Sequence, residues 1–376
     1  MSDEEAAAGF ERHTPSASSG TRSEFDFIKE IRKRALRSNN STSPVHIHPS
    51  SLPSSSLLSD IGDDAAVLRQ ADGRNTVVTT DLLIEDVDFH RETTTARLLG
   101  QKALAVSLSD VAAMGTRPRW SLLSIGVPEE IWHSDFVDEF YEGFFALSDR
   151  YDVRLIGGDV SRSPEKIVID SIVLGECAHE RAIMRSGARP GDHLFVTGSL
   201  GGSAAGLRLL DRGARLQHKG ADRDHADSDS HSIQQLLLRH LRPEPRVGWG
   251  LVLGQDQLAS AMIDISDGLS SDLNHLCKES DVGALIDAAA IPIDPLVVEI
   301  CGRRALDPLL LALHGGEDFE LLFTVRPNDV SRLPKQVDGV AISRIGEVTN
   351  QPGTIRVAEK NRVWNLASQG FDHFKV

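Results

Sequence analysis

The spacing of apolar residues switches along the chain between helical and strand periods, which predicts an α/β protein. Across 96–114, Leu104, Leu108 and Val111 keep the spacing of one helix face, and Gly115 supplies a stop. Alternating or β-branched apolar runs are instead typical of strands. Strands are predicted at 77–81, 120–127, 153–159, 167–176, 193–197, 261–266, 283–287 and 317–323, and further helices at 25–37, 136–144, 207–210, 272–278 and 306–313.

The length of the chain and its breaks in composition predict two domains. A chain of 376 residues is long for a single core. Residues 1–22 lack periodic apolar positions and are predicted to be a disordered tail. We expect an N-terminal domain at 23–178 and a C-terminal α/β domain at 179–376, with 215–232 as an exposed insertion. Because both halves mix strands with helices, the fold class is α/β or α+β in layers.

Charge and cysteine content narrow the class of partner. A net charge of −15 argues against nucleic acid and against an anionic membrane surface, since both attract basic proteins. Three widely separated cysteines are typical of reduced thiols. No apolar stretch approaches eighteen residues and no signal peptide is evident, so we expect a cytoplasmic protein. If such an acidic protein handles phosphates, it must recruit metal cations locally.

Carboxylates recur at the ends of apolar runs, beside Gly, Ser or Thr. Oxygen ligands of this kind suit hard cations such as Mg²⁺, which also prefers substrate phosphates. An isolated Asp next to Gly is more often a turn residue, so the recurrence carries the interpretation. Hydroxyls accompany two of the positions, with Thr79 and Thr80 before Asp81 and Ser266 between two aspartates. The carboxylates are Asp63, Asp64, Asp81, Asp110, Asp159, Asp264, Asp267 and Glu317.

Three further features have both a structural and a functional interpretation. The glycine-rich stretch 198–206 lacks the Gly-Lys-Ser/Thr of a P-loop, which favours a tight strand-to-helix turn over backbone amides that bind phosphate. Arg185 would form an exposed salt bridge or bind phosphate. Phe371 and Phe374 are typical of a core, and the alternative for them is stacking on a ligand.

Several short motifs along the chain form a recognisable set. They are Gly62-Asp-Asp64, Thr79-Thr-Asp81, the segment 102–115, Gly157-Gly-Asp159, Arg185-Ser-Gly-Ala188, Asp264-Ile-Ser-Asp-Gly268 and Gly315-Gly-Glu-Asp318. This set resembles the thiamine-monophosphate kinase family, of the aminoimidazole ribonucleotide synthetase-like superfamily. The resemblance runs from about Phe25 to Phe374. It implies a two-domain fold whose N-terminal domain pairs with its twin in a homodimer.

The resemblance also implies an activity and a set of site residues. The activity is ATP-dependent phosphorylation of thiamine monophosphate to thiamine diphosphate, by direct in-line transfer. No general base is expected, because a phosphate oxygen is already ionised. Several Mg²⁺ ions would be held by Asp64, Thr79, Thr80, Asp81, Asp110, Asp159, Asp264 and Asp267. ATP would meet Gly158, Asp159, Arg185, Ser266 and Tyr141, and thiamine monophosphate would meet Asp88, Glu317 and Phe371. Asp88 stands where the family commonly has His.

Two rival functions come from related proteins. One is another ATP-using synthetase of the superfamily, of the selenophosphate or purine-pathway type. The selenophosphate enzyme usually offers a reactive cysteine near its N-terminus, and no cysteine precedes Cys177 here. The other is a non-enzymatic maturation factor that presents a C-terminal cysteine, whereas this chain ends Phe374-Lys-Val376.

Overall fold

The computed structural model describes residues 27–33, 56–178, 181–217, 228–304 and 306–369. Two units are distinguished by their internal contacts. One comprises Met1–Thr42 with Asp372–Val376, and its described residues 27–33 form helix α1. The other comprises Ser43–Phe371 and contains all the elements that follow. The predicted tail at 1–22 and most of the predicted insertion lie outside the described residues.

The N-terminal half of the larger unit is built on a mixed sheet. Its described strands run in the order β1-β2-β3-β6-β4-β5, and only the β4–β5 pair is parallel. β3 and β6 pair along their whole length, from Arg74 opposite Ala178 to Ile84 opposite Val168. The strands are β1 (Leu57–Ser59), β2 (Ala66–Arg69), β3 (Arg74–Ile84), β4 (Arg117–Val127), β5 (Arg154–Arg162) and β6 (Val168–Ala178).

Helix α2 (Ala96–Ala113) packs on one face of this sheet and is buried along most of its length. Thr95 caps it, since its hydroxyl accepts a hydrogen bond from the Leu98 amide at 3.2 Å. Helices α3 (Glu129–Trp132) and α4 (Phe136–Tyr151) follow β4. α4 packs closely on α2, because Gly100 and Gly143 leave no side chain between the two backbones.

The C-terminal half is built on a second sheet. Its order is β14-β13-β9-β12-β7-β10-β8, with β11 paired to β12. The strands are β7 (His193–Thr197), β8 (Ala261–Asp264), β9 (Gly283–Asp287), β10 (Leu321–Val325), β11 (Gln336–Val337), β12 (Val340–Thr349), β13 (Ile355–Glu359) and β14 (Arg362–Asn365). The helices are α5 (Gly202–Asp211), α6 (Ser228–Leu241), α7 (Val247–Gln255), α8 (Leu269–Glu279), α9 (Pro295–Arg304) and α10 (Pro308–His314), with 3₁₀ turns at Ala288–Ala290 and Pro327–Arg332.

One hydrophobic cluster joins the two halves through α2. It contains Leu108 and Val111 of α2 together with Trp249 of α7 and Phe323 of β10. A second cluster lies within the C-terminal sheet, and a third lies among α5, α6 and α9. α2 is therefore buried on both sides, which places its polar residues at the centre of the molecule. None of the helices in the described ranges has both the length and the apolar character to cross a membrane.

The α/β fold class is confirmed, and two local predictions about the region around β8 are wrong. β8 ends at Asp264 with all four residues buried, so Ser266 does not alternate with Asp264 on a strand. Ser270 does not cap α8, because its hydroxyl lies 2.9 Å from His314 Nδ1. The cap position is Gly268. The exact domain boundaries at 178 and 179 remain a prediction.

The close contact of α2 and α4 gives a testable expectation for Gly143. A Cβ atom there would lie 1.8 Å from the carbonyl oxygen of Arg97, so Gly143→Ala must push the helices apart. We expect a loss of about 1–3 kcal/mol in the free energy of unfolding, typical of overpacking. The measurement is chemical denaturation followed by circular dichroism.

Gly302→Ala is the matched control, since Gly302 lies in α9 with nothing within 4 Å of its added Cβ. There alanine should stabilise by up to ~1 kcal/mol through its better helix propensity. Stabilisation by both substitutions would contradict the close packing of α2 on α4.

Candidate active site

Three aspartates from distant parts of the chain meet at the junction of the two halves. Asp64 lies between β1 and β2, Asp110 on α2 and Asp264 at the end of β8. One carboxylate oxygen from each lies within 4.8 Å of the others. Among the described residues, the buried Asp64 Oδ2 has no hydrogen-bond partner. The cluster therefore has a carboxylate oxygen that accepts no hydrogen bond from the described residues and is available as a metal ligand.

A tight turn orients Asp64 towards the cluster. Gly62 adopts a φ of 127°, which other residues rarely reach. The Asp63 carboxylate accepts hydrogen bonds from the amides of Asp64 at 3.2 Å and Arg185 at 3.1 Å. Arg185 Nη2 donates to Asp64 Oδ1 at 2.6 Å. Asp63 thus fixes the backbone. The carboxylate of Asp64 faces the guanidinium group of Arg185 on one side and the carboxylates of Asp110 and Asp264 on the other.

Hydroxyl groups hold the carboxylates of the cluster and of neighbouring Asp81 in place. Thr79 donates to Asp110, and Ser109 donates to Asp264 at 2.7 Å. Ser107 donates to Asp81 Oδ2 at 2.7 Å and also to the carbonyl of Ser171. Because Ser107 and Asp110 share a face of α2, both reach β3, as their spacing predicts.

The electrostatics of the cluster show that it lacks positive charge. Burial, together with the charge of Asp64, raises the pKa of Asp264 to about 7. Burial and the charge of Asp81 hold the pKa of Asp110 well above its usual range, and burial with Asp170 raises the pKa of Asp81 to about 6. Burial would lower the pKa of Arg185, but the carboxylates of Asp64 and its neighbours outweigh it, and the pKa is raised. One arginine does not balance this group of carboxylates.

The residues of the cluster fit a divalent cation. They offer only oxygen atoms, which suits hard ions such as Mg²⁺ better than zinc. A bound cation would engage the unpartnered oxygen of Asp64 and would offset the burial and the mutual repulsion that together raise the carboxyl pKa values. Asp64, Asp110 and Asp264 are the residues that would hold it.

The turn after β8 places Ser266 and Asp267 next to this cluster in sequence. The carboxylate of Asp272 accepts from the amides of Asp267 at 3.2 Å and Gly268 at 3.0 Å, and so fixes the turn. Asp272 is fully enclosed, and burial followed by the charge of Asp267 raises its pKa well above the usual range. Sequence reasoning assigned it only to a helix start. Its position five residues after Asp267 is the feature of the sequence that could have indicated its contact with this turn.

Other predicted metal and ATP residues lie along the first sheet. Thr80 points away from Thr79 and Asp81, and its hydroxyl donates to Asp170 at 2.6 Å. Asp159 is exposed on the edge strand β5 and is outside the three-aspartate cluster. Gly158 is required by the fold itself, since a Cβ atom would lie 1.8 Å from the carbonyl oxygen of Leu123.

Among the remaining predicted residues, Tyr141 lies on α4, where its ring meets Phe140 edge-on with centroids 5.7 Å apart. One Asp88 carboxylate oxygen accepts from the Ile84 amide at 2.7 Å and so closes the turn after β3. Phe371 lies outside the described residues.

Glu317 is held by two basic side chains whose function the sequence alone did not indicate. Lys102 Nζ lies 2.9 Å from one carboxylate oxygen, and His240 Nδ1 lies 3.0 Å from the other. Burial alone would raise the pKa of Glu317, but these two charges outweigh it and lower the pKa to about 2. Lys102 belongs to the motif at 102–115, yet its partner stands more than two hundred residues away, so sequence spacing gave no signal for the pair.

The glycine-rich stretch 198–206 is a structural turn, as its lack of a P-loop lysine favours. It connects β7 to α5, and Asp318 accepts hydrogen bonds from the amides of Gly201 at 2.7 Å and Ser203 at 3.1 Å. These amides therefore bind a side chain of the protein itself.

Comparison with known proteins identifies the family. The models for AIR synthase related proteins match at residues 62–177 for the N-terminal domain and 189–358 for the C-terminal domain. Thiamine-monophosphate kinase of Escherichia coli O157:H7 is 40% identical over 319 residues, which cover 84% of this chain and 91% of that protein. The chain belongs to the thiamine-monophosphate kinase family. The enzyme of Bacillus subtilis (strain 168) is 35% identical, with 88% of this chain and 97% of that protein covered.

The fold agrees with a solved member of the thiamine-monophosphate kinase family. A structure of AaThiL complexed with AMPPCP and TMP matches with a TM-score of 0.75 and 31% identity, covering 96% of this chain and 100% of that one. The resemblance drawn from the sequence motifs and the two-domain fold that it implies are therefore confirmed. Membership of the thiamine-monophosphate kinase family also ranks the selenophosphate, purine-pathway and maturation-factor alternatives below kinase activity.

The raised carboxyl pKa of Asp264 predicts how stability depends on pH without divalent cations. Its folded pKa of about 7 exceeds the usual 3.8, so its stabilising contribution is complete below pH 4 and is lost as the pH rises through 7. In a chelator, we expect the free energy of unfolding to fall between pH 5 and 8, by up to ~1.4 kcal/mol per pH unit for one such group. Urea denaturation across this range is the measurement.

The matched variant is Asp264→Asn, which keeps the shape of the side chain and removes its titration. Its unfolding free energy should vary less with pH over the same interval. An identical pH slope in the variant and the wild type would contradict the raised pKa.

Proposed function

We propose that the protein transfers the γ-phosphoryl group of ATP to thiamine monophosphate, giving thiamine diphosphate and ADP. The observation that carries this proposal is the buried cluster of Asp64, Asp110 and Asp264 beside Arg185. It occurs in a chain whose fold matches a structure complexed with AMPPCP, an ATP analogue, and TMP. Both substrates are anionic, and a site rich in buried carboxylates accepts them only together with cations.

The proposed step is a direct, in-line displacement. An ionised phosphate oxygen of thiamine monophosphate forms a bond to the γ-phosphorus of ATP. The bond from that phosphorus to the β–γ bridging oxygen breaks, and ADP leaves with the electron pair. No side chain must remove a proton from the ionised nucleophile, so the residues act by positioning and by charge.

In this proposal the carboxylates hold several Mg²⁺ ions. The cluster of Asp64, Asp110 and Asp264 forms the centre, and the hydroxyl of Thr79 supports it. When bound, Mg²⁺ neutralises the charge of the phosphates and lets them approach each other. The full proposed set adds Thr80, Asp81, Asp159 and Asp267.

ATP would bind next to Arg185. Its Nη2 is engaged by Asp64, while its Nε is buried without a partner among the described residues, which leaves a donor for a phosphate oxygen. The remaining proposed ATP residues are Gly158, Asp159, Ser266 and Tyr141. Thiamine monophosphate would meet Glu317, Asp88 and Phe371. The reaction uses soluble metabolites, and we propose that the protein works in the cytoplasm without nucleic acid or membrane partners.

The direct test is to incubate the protein with ATP, Mg²⁺ and thiamine monophosphate and to measure thiamine diphosphate and ADP by chromatography. We expect both products in equal amounts. A folded protein that forms no thiamine diphosphate would contradict the proposed activity and would favour another ATP-using synthetase of the superfamily.

Asp81→Asn tests the charge of the carboxylate site. The change keeps the shape and the hydrogen bond from Ser107 but removes one negative charge from the site. We expect turnover to fall by roughly 100-fold or more, since metal-assisted charge neutralisation contributes several kcal/mol to transfer. The melting temperature should not fall.

Asp149→Asn, at an exposed position on α4, is the matched control and should leave turnover unchanged. Wild-type turnover in Asp81→Asn would remove Asp81 from the proposed metal set.

We also propose that the protein is a homodimer that pairs through the first sheet. On the face of this sheet away from α2, Leu82, Leu122, Ile172 and Leu174 are only partly covered, and Leu82 is 54% exposed. An apolar sheet face of this kind is typical of an interaction surface. Leu82→Glu should therefore shift the mass measured by light scattering from dimer to monomer.

Val298→Glu is the control for this experiment, since Val298 is 50% exposed on α9 of the other half. It should leave the mass unchanged. A monomeric wild type, or a dimer unaffected by Leu82→Glu, would place the interface elsewhere or remove it.

A further inference from the structure

Lys102 is a buried cation outside the metal cluster, and the proposed function gives it no role. Its side chain on α2 is 3% exposed. Its Nζ lies 2.9 Å and 3.0 Å from the two carboxylate oxygens of Glu317 and 3.5 Å from the carbonyl oxygen of Asp88. A lysine is costly to bury unless its charge is paired and hydrogen-bonded. Lys102 therefore joins the two described residues that the family resemblance assigns to thiamine monophosphate.

The backbone around Glu317 is held as firmly as its side chain. Glu317 has a φ of 62°, and its amide donates to the carbonyl oxygen of Ser266 at 2.7 Å. At Gly316 a Cβ atom would lie 2.6 Å from the same carbonyl oxygen. The backbone of the loop that carries Glu317 is thus fixed to the turn between Asp264 and Asp267. With the backbone fixed, the contacts of the Glu317 side chain set the position of its carboxylate.

A second basic side chain reaches Glu317 from a third element. His240 on α6 is 6% exposed, and its Nδ1 lies 3.0 Å from Glu317 and 3.1 Å from the Ser203 hydroxyl. The carboxylate is therefore held from α2 on one side and from α6 on the other. Such a double restraint fixes the orientation of an acceptor group, whereas a single flexible ion pair would not.

We propose that Lys102 is a positioning residue for the thiamine end of the substrate, acting by holding the Glu317 carboxylate, with His240 as its second support. The inference rests on the proposed function. Because the charge of Lys102 already compensates Glu317, the carboxylate serves as an oriented hydrogen-bond acceptor more than as a counter-ion for the cationic thiazolium. Lys102 thereby links α2, which carries Asp110, to substrate recognition.

The experiment compares steady-state kinetics of the wild type, Lys102→Met, Glu317→Gln and the double variant. Lys102→Met keeps the length of the side chain and removes the charge. We expect KM for thiamine monophosphate to rise roughly tenfold or more, as for loss of a charge-assisted hydrogen bond, with KM for ATP and kcat changed by less than about threefold. Gln101→Met, the adjacent position on α2, is the matched control and should leave both KM values unchanged.

The double variant separates positioning from a merely structural ion pair. If Lys102 acts through Glu317, then Lys102→Met should add little to Glu317→Gln, and the effects on KM should be clearly non-additive. A structural pair would instead lower the melting temperature of Lys102→Met without changing the ratio of the two KM values.

Additive effects, or equal losses for ATP and thiamine monophosphate, would overturn the inference while leaving the kinase activity in place. A wild-type protein that makes no thiamine diphosphate would overturn the proposed function and this inference with it.

Discussion

Mutual repulsion among buried carboxylates is the constraint on which the site depends. Asp64, Asp110 and Asp264 come from three segments, and each is brought in by an element that packs for other reasons: a glycine turn, a buried helix and the end of a buried strand. Hydrophobic burial supplies the free energy that holds these elements together against the repulsion. The fold therefore keeps one oxygen of each carboxylate within 4.8 Å of the others, and Arg185 cancels part of their charge.

Helix α2 is the element that connects this chemistry to the rest of the molecule. Along its length it carries Lys102, Ser107 and Ser109, which contact Glu317, Asp81 and Asp264 respectively, and Asp110, which belongs to the cluster of three aspartates. Its burial between the first sheet and the C-terminal half explains how one helix touches residues more than two hundred positions apart. The hydrogen-bonded backbone of the helix fixes the spacing between the Cα positions of these residues.

The sequence was informative where the chemical signal is local. Aspartates that follow β-branched runs or precede glycine were visible as a recurring pattern, and their motifs identified the family and the α/β fold. Lys102 and His240 were not assigned functions, because both depend on a partner, Glu317, that only the folded chain brings near. Asp272 was missed although its partners Asp267 and Gly268 are close in sequence. Ser270 was assigned to a cap because its type and position fit one, but tertiary contact with His314 decided its role. Local propensity is a weak guide where a long-range hydrogen bond competes.

The loop from Gly315 to Phe319 contains two non-glycine residues in strained backbone conformations. Glu317 and Phe319 have φ values of 62° and 49°. These values lie in the left-handed region, which glycine adopts without strain. Such conformations typically cost about 1–3 kcal/mol each. A glycine at 317 would relax the backbone but would remove the carboxylate that Lys102 and His240 contact. Selection for stability alone would therefore favour glycine at these two positions, so the sequence of this loop is not the one that stability by itself would choose.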